Sequence, residues 1–172
     1  MPMKDMIKHS NPVFIESVSK INKIELDLTV QYADNIWLSL KEIPSRLQLC
    51  KWFKAGLQQD AQATIRIVDE IEGRRYNRNF RGKDYATNVL TFIYGETLPL
   101  SADIVLCVPV IEREAKHQHK DLLAHYAHLT VHSSLHMQGY IHEKENDAII
   151  MEKLETEIVT SLGFDDPYQE KN

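Results

Sequence analysis

The stretch Lys120-Asp-Leu-Leu-Ala-His125-Tyr-Ala-His128-Leu-Thr-Val-His132-Ser-Ser-Leu-His136-Met-Gln-Gly139-Tyr-Ile-His142 organises the rest of the chain. It predicts a helix from about Lys120 to Gln138, stopped by Gly139, the residue best able to take the left-handed conformation past a helix end. His132 and His136 are four residues apart, which places them about 40° apart around a helix, on one face and one turn above each other. Once Gly139 has turned the chain, His142 can return to that face. Two imidazoles from one helix and a third from the turn after it can then meet one ion.

Upstream of this stretch, Pro109 suits the first turn of a helix reaching about His117, where a proline loses no intrahelical hydrogen bond. Downstream, from about Asn146, residues Ile150, Met151, Leu154, Ile158 and Leu162 predict the core-facing stripe of a last helix that stops at Gly163. The first half is richer in strands. Ile24, Leu26, Leu28 and Val30 alternate with polar residues, Thr64 to Asp69 is short and β-branched, and Asn88 to Tyr94 and Asp103 to Val108 are separated by the loop residues Gly95, Pro99 and Ser101. Ser45 caps a helix carrying Leu49, Cys50, Phe53 and Leu57. Strands mostly early and helices mostly late predict an α+β domain, with one mixed sheet of about four strands packed against helices and the histidine helix in the C-terminal half. Residues 23–172 are read as a single catalytic domain, and residues 1–22, which lack periodicity, as an N-terminal extension of unknown role.

With 172 residues, 43% hydrophobic and 26% charged, the composition is that of an ordinary globular domain, so one domain is expected. A net charge of −5 and a pI near 5.9 exclude a broad nucleic-acid-binding surface, and any such contact must be local. The longest apolar run, Ile104 to Ile111, contains Pro109 and is too short to span a membrane. The first twenty residues hold no secretory signal, so a cytoplasmic protein without a membrane partner is expected. Cys50 and Cys107 read as reduced core thiols rather than a disulfide or zinc ribbon. Seven of the eight histidines lie between His117 and His142, which is where chemistry is to be sought.

His132, His136, Gly139 and His142 reproduce the spacing of the metzincin frame HExxHxxGxxH, but the glutamate that serves as general base there is replaced by Ser133. Peptide hydrolysis by that route is disfavoured. His125, His128, His132 and His136 also share one helical stripe, as a polar seam would; the turn glycine and the third histidine favour a metal. His125 and His128 are read as neighbours of the ligands or as surface residues, and His117 and His119 as solvated loop residues. Three neutral imidazoles leave the fourth position of a tetrahedral zinc open, the arrangement of a catalytic site. One zinc per chain is expected, and imidazole suits other divalent metals such as nickel or iron.

Arg74, Arg75, Arg78, Arg81 and Lys83 place five positive charges within ten residues, with Tyr76 and Phe80 interleaved. Arginine can grip a phosphate with two N–H groups while a neighbouring ring stacks on a base. The competing reading is a solvated loop paired with Asp69, Glu70 and Glu72.

Phe80-Arg-Gly-Lys-Asp84 followed by Thr87-Asn-Val-Leu-Thr-Phe92, then Asp103-Ile-Val and the histidine string with Gly163 and Asp166-Pro-Tyr168, resemble the bacterial YbeY family from about Ile24 to Tyr168. The resemblance implies a zincin-like α+β fold and a metal-dependent, single-strand-specific endoribonuclease, a hydrolase of ribosomal RNA maturation and ribosome quality control, with the small ribosomal subunit or its proteins as partner. It implies His132, His136 and His142 as zinc ligands and Arg81 as the catalytic arginine. It departs from the family at Ile141, where an aspartate is usual, and at Ser133, where glycine is common. Ile141 can neither orient an imidazole nor relay a proton, which weakens any acid-base assignment there.

The reading is therefore zinc-dependent phosphodiester cleavage in single-stranded RNA, with Arg81 stabilising charge on the nonbridging oxygens and no DNA partner. Water and the RNA 2′-hydroxyl both remain open as nucleophile. The alternatives are a metal-dependent hydrolase of a non-RNA substrate and a non-enzymatic ribosome-assembly factor with a structural zinc.

Overall fold

The computed structural model describes residues 23–38 and 42–170, so the N-terminal extension read at residues 1–22 lies outside them. Four strands, β1 (Leu26–Tyr32), β2 (Ala61–Val68), β3 (Val89–Ile93) and β4 (Leu100–Cys107), form one sheet in the order β1-β2-β4-β3. The pairs β1–β2 and β2–β4 are parallel, and β3 runs antiparallel to β4 at the edge. Among the described residues five α-helices accompany the sheet: α1 (Arg46–Ala55), α2 (Glu70–Arg81), α3 (Val108–His117), α4 (Leu122–Met137) and α5 (Glu145–Ser161). This is the expected α+β domain with a mixed four-stranded sheet. Among the described residues no helix is long and apolar enough to cross a membrane.

Strand alternation divides the sheet into two faces. Leu28, Ala63, Ile65, Ile67, Ala102, Ile104 and Leu106 join Leu49, Trp52 and Phe53 of α1 and Tyr126 and Ala127 of α4 in the main core. The opposite face carries a smaller cluster, Val68, Leu90, Val105, Cys107 and Val110, with Tyr76 of α2 packed against it. Helix α4 in turn packs on α5 through Val131, Leu135, Met151 and Val159.

The basic stretch is a helix, not the loop of the competing reading. Asp69, expected to end a strand, caps it instead by accepting the Glu72 N–H at 2.8 Å, and Gly82 ends it with φ 67°. Its buried face consists of Gly73 and Asn77. A Cβ on Gly73 would lie 2.9 Å from Cys107 Sγ, so the glycine is what lets α2 sit so close to β4. Asn77 Nδ2 donates to the Tyr85 carbonyl at 2.7 Å and ties the following loop to the helix.

On α5, Met151, Glu155 and Val159 are the buried residues, whereas Ile150, expected in the core stripe, is 54% exposed. The helix is rotated so that it presents a carboxylate, with Met151 and Val159, to α4.

Candidate active site

Asp121 caps α4 by accepting the Ala124 N–H at 3.0 Å. With Val131 and Leu135 committed to α5 and Tyr126 and Ala127 to the sheet, the remaining face of α4 carries the histidines. Gly139, at φ 95°, turns the chain as expected, with the Gly139 and Tyr140 N–H groups bonded to the His136 and Leu135 carbonyls. The turn brings the His142 ring centroid to 5.3 Å from that of His132, while the His132 and His136 rings lie 6.3 Å apart and nearly parallel.

His136 Nδ1 lies 3.0 Å from the Tyr140 carbonyl oxygen, and His132 Nδ1 lies 2.5 Å from Glu155 Oε1. Carbonyl and carboxylate oxygens only accept, so both Nδ1 atoms are the donors, and in the neutral form of each ring Nε2 is the nitrogen left with a lone pair. Glu155 also accepts from His128 Nε2 at 3.1 Å and from the Tyr168 hydroxyl. Burial pushes the Glu155 carboxyl up, but the bonds from His128, His132 and Tyr168 outweigh it and hold the group down at about 2. His125 Nε2 meets Glu114 Oε2 at 2.8 Å, and Asn88 Nδ2 donates to the same oxygen at 3.0 Å. His125 and His128 are thus carboxylate-bonded neighbours of the ligand candidates rather than surface residues. His117 ends α3, His119 follows with φ 53°, and both are exposed.

His132, His136 and His142 line one cleft of about 530 Å³ with Phe80, Arg81, the segment 87–92, Ile141 and Glu143. The Arg81 side chain makes no hydrogen bond or ion pair among the described residues, and both Asp84 and Glu72 are engaged by other cations. Asp84 accepts from Arg74 at 2.9 and 2.7 Å and stands 3.9 Å from Arg78, while Glu72 binds Arg66 and stands 3.9 Å from Arg75. Hydrogen bonding from Arg74 holds the Asp84 carboxyl below its usual range. Arg74, Arg75, Arg78 and Lys83 are exposed and do not line the cleft. Tyr76 stacks on Phe80 at 6.2 Å and Phe80 meets Phe92 at 4.9 Å, forming with Tyr94 and Arg66 a second pocket of about 270 Å³.

Among the described residues no group of three His, Cys, Asp or Glu side chains is arranged to hold a metal ion as it stands. Three imidazoles on one tetrahedral zinc, each nitrogen at about 2.0–2.1 Å, have centroids roughly 5 Å apart. The His132–His142 pair meets that spacing, and the His132–His136 pair is wide by about 1 Å.

A family model described as Endoribonuclease YbeY matches residues 38–163. The chain belongs to the YbeY family. It is 54% identical over 169 residues to the Endoribonuclease YbeY of Nitrosomonas europaea, covering 98% of each chain. To that of Nitrosomonas eutropha it is 55% identical over 141 residues, covering 82% of this chain and 97% of the relative. The solution structure of TM1509 from Thermotoga maritima shares the fold, with a TM-score of 0.50 at 21% identity over 84% of this chain and 99% of that one. The YbeY resemblance read from the histidine string and from Phe80 to Phe92 is thereby established.

Sequence reasoning missed Glu155 and Glu114. Glu155 shares a helix face with Met151 and Val159, and an acid spaced four residues from an apolar residue on either side was the available signal. Ser133 is buried, its hydroxyl donating to the Leu129 carbonyl at 2.9 Å.

Proposed function

We propose that this YbeY chain is a zinc-dependent, single-strand-specific endoribonuclease, with His132, His136 and His142 holding one zinc ion and Arg81 engaging the scissile phosphate. The observation that carries this reading is a shared cleft: an arginine without an ion-pair partner among the described residues faces the same space as three imidazoles, two of them with Nδ1 already bonded. The donor set suits zinc, and closing the wider ring pair takes a side-chain movement of about 1 Å. When bound, the zinc supplies Lewis-acid polarisation of a phosphoryl oxygen at neutral pH.

The chain's own residues do the rest. Arg81 holds a nonbridging oxygen through its N–H fork and stabilises the charge that develops there. Ser133, turned into its own helix, offers no base at the position where a peptidase has one. Phe80, 65% exposed at the cleft, presents a ring on which an unpaired base stacks. Arg74, Arg75, Arg78 and Lys83 attract the strand at longer range, Arg74 and Arg78 less so because Asp84 neutralises them. Tyr76 supports the Phe80 ring. Ribosomal RNA as substrate, the small ribosomal subunit as partner and the cytoplasm as location rest on the family resemblance.

The test is a labelled RNA holding one single-stranded and one duplex segment, treated with wild type and with His132→Ala purified alike. Wild type should cut the unpaired segment only, lose activity on chelation and regain it with zinc, and His132→Ala should be inactive. Equal cleavage by both proteins would expose a contaminating nuclease. No cleavage by metal-loaded wild type that binds the RNA would favour the non-enzymatic assembly factor.

A further inference from the structure

Glu155 is the one Asp or Glu that is buried among the described residues, and it comes from α5, which contributes nothing to the lining of the cleft. A buried carboxylate is costly unless its oxygens are bonded. Here Oε1 accepts from His132 Nδ1 at 2.5 Å, and Oε2 accepts from His128 Nε2 at 3.1 Å and from the Tyr168 hydroxyl. An apolar residue would pack with Met151 and Val159 at no such cost. The carboxylate has a directional consequence instead: it accepts from His132 in only one tautomer, the one that leaves Nε2 as an acceptor. His136 is fixed differently, by the main-chain carbonyl of Tyr140, which no side-chain substitution removes.

We propose that Glu155 is a positioning residue for the metal ligand His132, and that His128 and Tyr168 hold Glu155 in turn, so that the turn following α5 tunes metal affinity from outside the cleft. This rests on His132 being a ligand, as set out above. Losing such a partner behind a ligating histidine costs about 10- to 100-fold in metal affinity.

The experiment measures zinc dissociation constants by chelator competition on the full chain for wild type, Glu155→Gln, Tyr168→Phe and His136→Ala, with cobalt absorption spectra and thermal unfolding of each metal-free protein. Glutamine keeps the size and one acceptor oxygen but loses the second. Glu155→Gln should weaken zinc by about 10- to 100-fold and alter the cobalt spectrum; Tyr168→Phe should weaken zinc by less. Wild-type zinc affinity in Glu155→Gln, with only a lowered melting temperature, would overturn the proposal and leave Glu155 a structural role. Retention of zinc by His136→Ala would instead overturn the ligand set itself. Should Glu155→Gln fail to fold, Tyr168→Phe decides, because Tyr168 is 44% exposed; unchanged zinc affinity and cobalt spectrum there would overturn the proposal.

Discussion

Replacing Arg81 with alanine separates a transition-state role from simple attraction of RNA. Arg81 sits in the last turn of α2, is exposed, and has no ion pair among the described residues to break. Its loss should therefore cost the fold no more than the helix-end interaction, about 0.3–1 kcal/mol. One phosphate contact on a single strand is worth about fourfold in affinity at 0.15 M salt, and its removal should lower the salt slope by about 0.7. A donor aimed at charge that develops during reaction is worth far more, about 100- to 1000-fold in kcat, or roughly 2.7–4 kcal/mol. Single-turnover cleavage at saturating enzyme gives the rate, and equilibrium binding under chelation gives the affinity. Arg81→Ala should lose at least about 25 times more in rate than in binding. Arg74→Ala, whose guanidinium is already taken by Asp84, should change either quantity by no more than about twofold. A fall in rate no larger than the fall in affinity would reduce Arg81 to an anchor and refute the catalytic assignment.

Leu135→Ala on the histidine helix empties a fully buried site against α5 and should destabilise the metal-free protein by about 2–5 kcal/mol, lowering the midpoint of thermal unfolding by roughly 5–20 °C. A Cβ on Gly56 would fall 1.9 Å from Ser134 Oγ, so Gly56→Ala should cost about 1–3 kcal/mol, and adding Ser134→Ala should recover part of it in a denaturant-unfolding cycle. Burial pushes the Glu114 carboxyl up, but bonds from His125 and Asn88 more than reverse this, so it titrates below the ordinary glutamate value of 4.5. The stability it contributes is present above pH 4.5 and is lost as pH falls through its lowered folded value, so Glu114→Gln should flatten the acid limb of the stability profile.

Sequence legibility followed how each element meets its neighbours. Strand β1 pairs along one side only and is exposed on its second face, so its alternation was plain. Helix α4 and its stop were legible because Gly139 must take φ 95° and the histidine spacing is helical. Helix α2 was not, because it meets the sheet through Gly73 and Asn77 and leaves no apolar stripe for periodicity to find. Strand β2 begins at Ala61, before the β-branched run, because small buried alanines extend it. On α5 the spacing placed Ile150 in the core, whereas the helix turns Met151, Glu155 and Val159 inward and leaves Ile150 in solvent. Strand order depends on contacts between distant segments that no local pattern records, and the pairing of Asp84 with Arg74, ten residues before it, depends on the loop after α2 folding back on the helix.

The central claim is that three imidazoles hold one metal ion beside Arg81. The most direct measurement is anomalous scattering at the zinc edge from crystals of the zinc-loaded protein. The account predicts one strong peak at about 2.0–2.1 Å from the Nε2 atoms of His132, His136 and His142, inside the cleft lined by Arg81. A peak on other ligands, or fully loaded protein with no peak among these three rings, would contradict it.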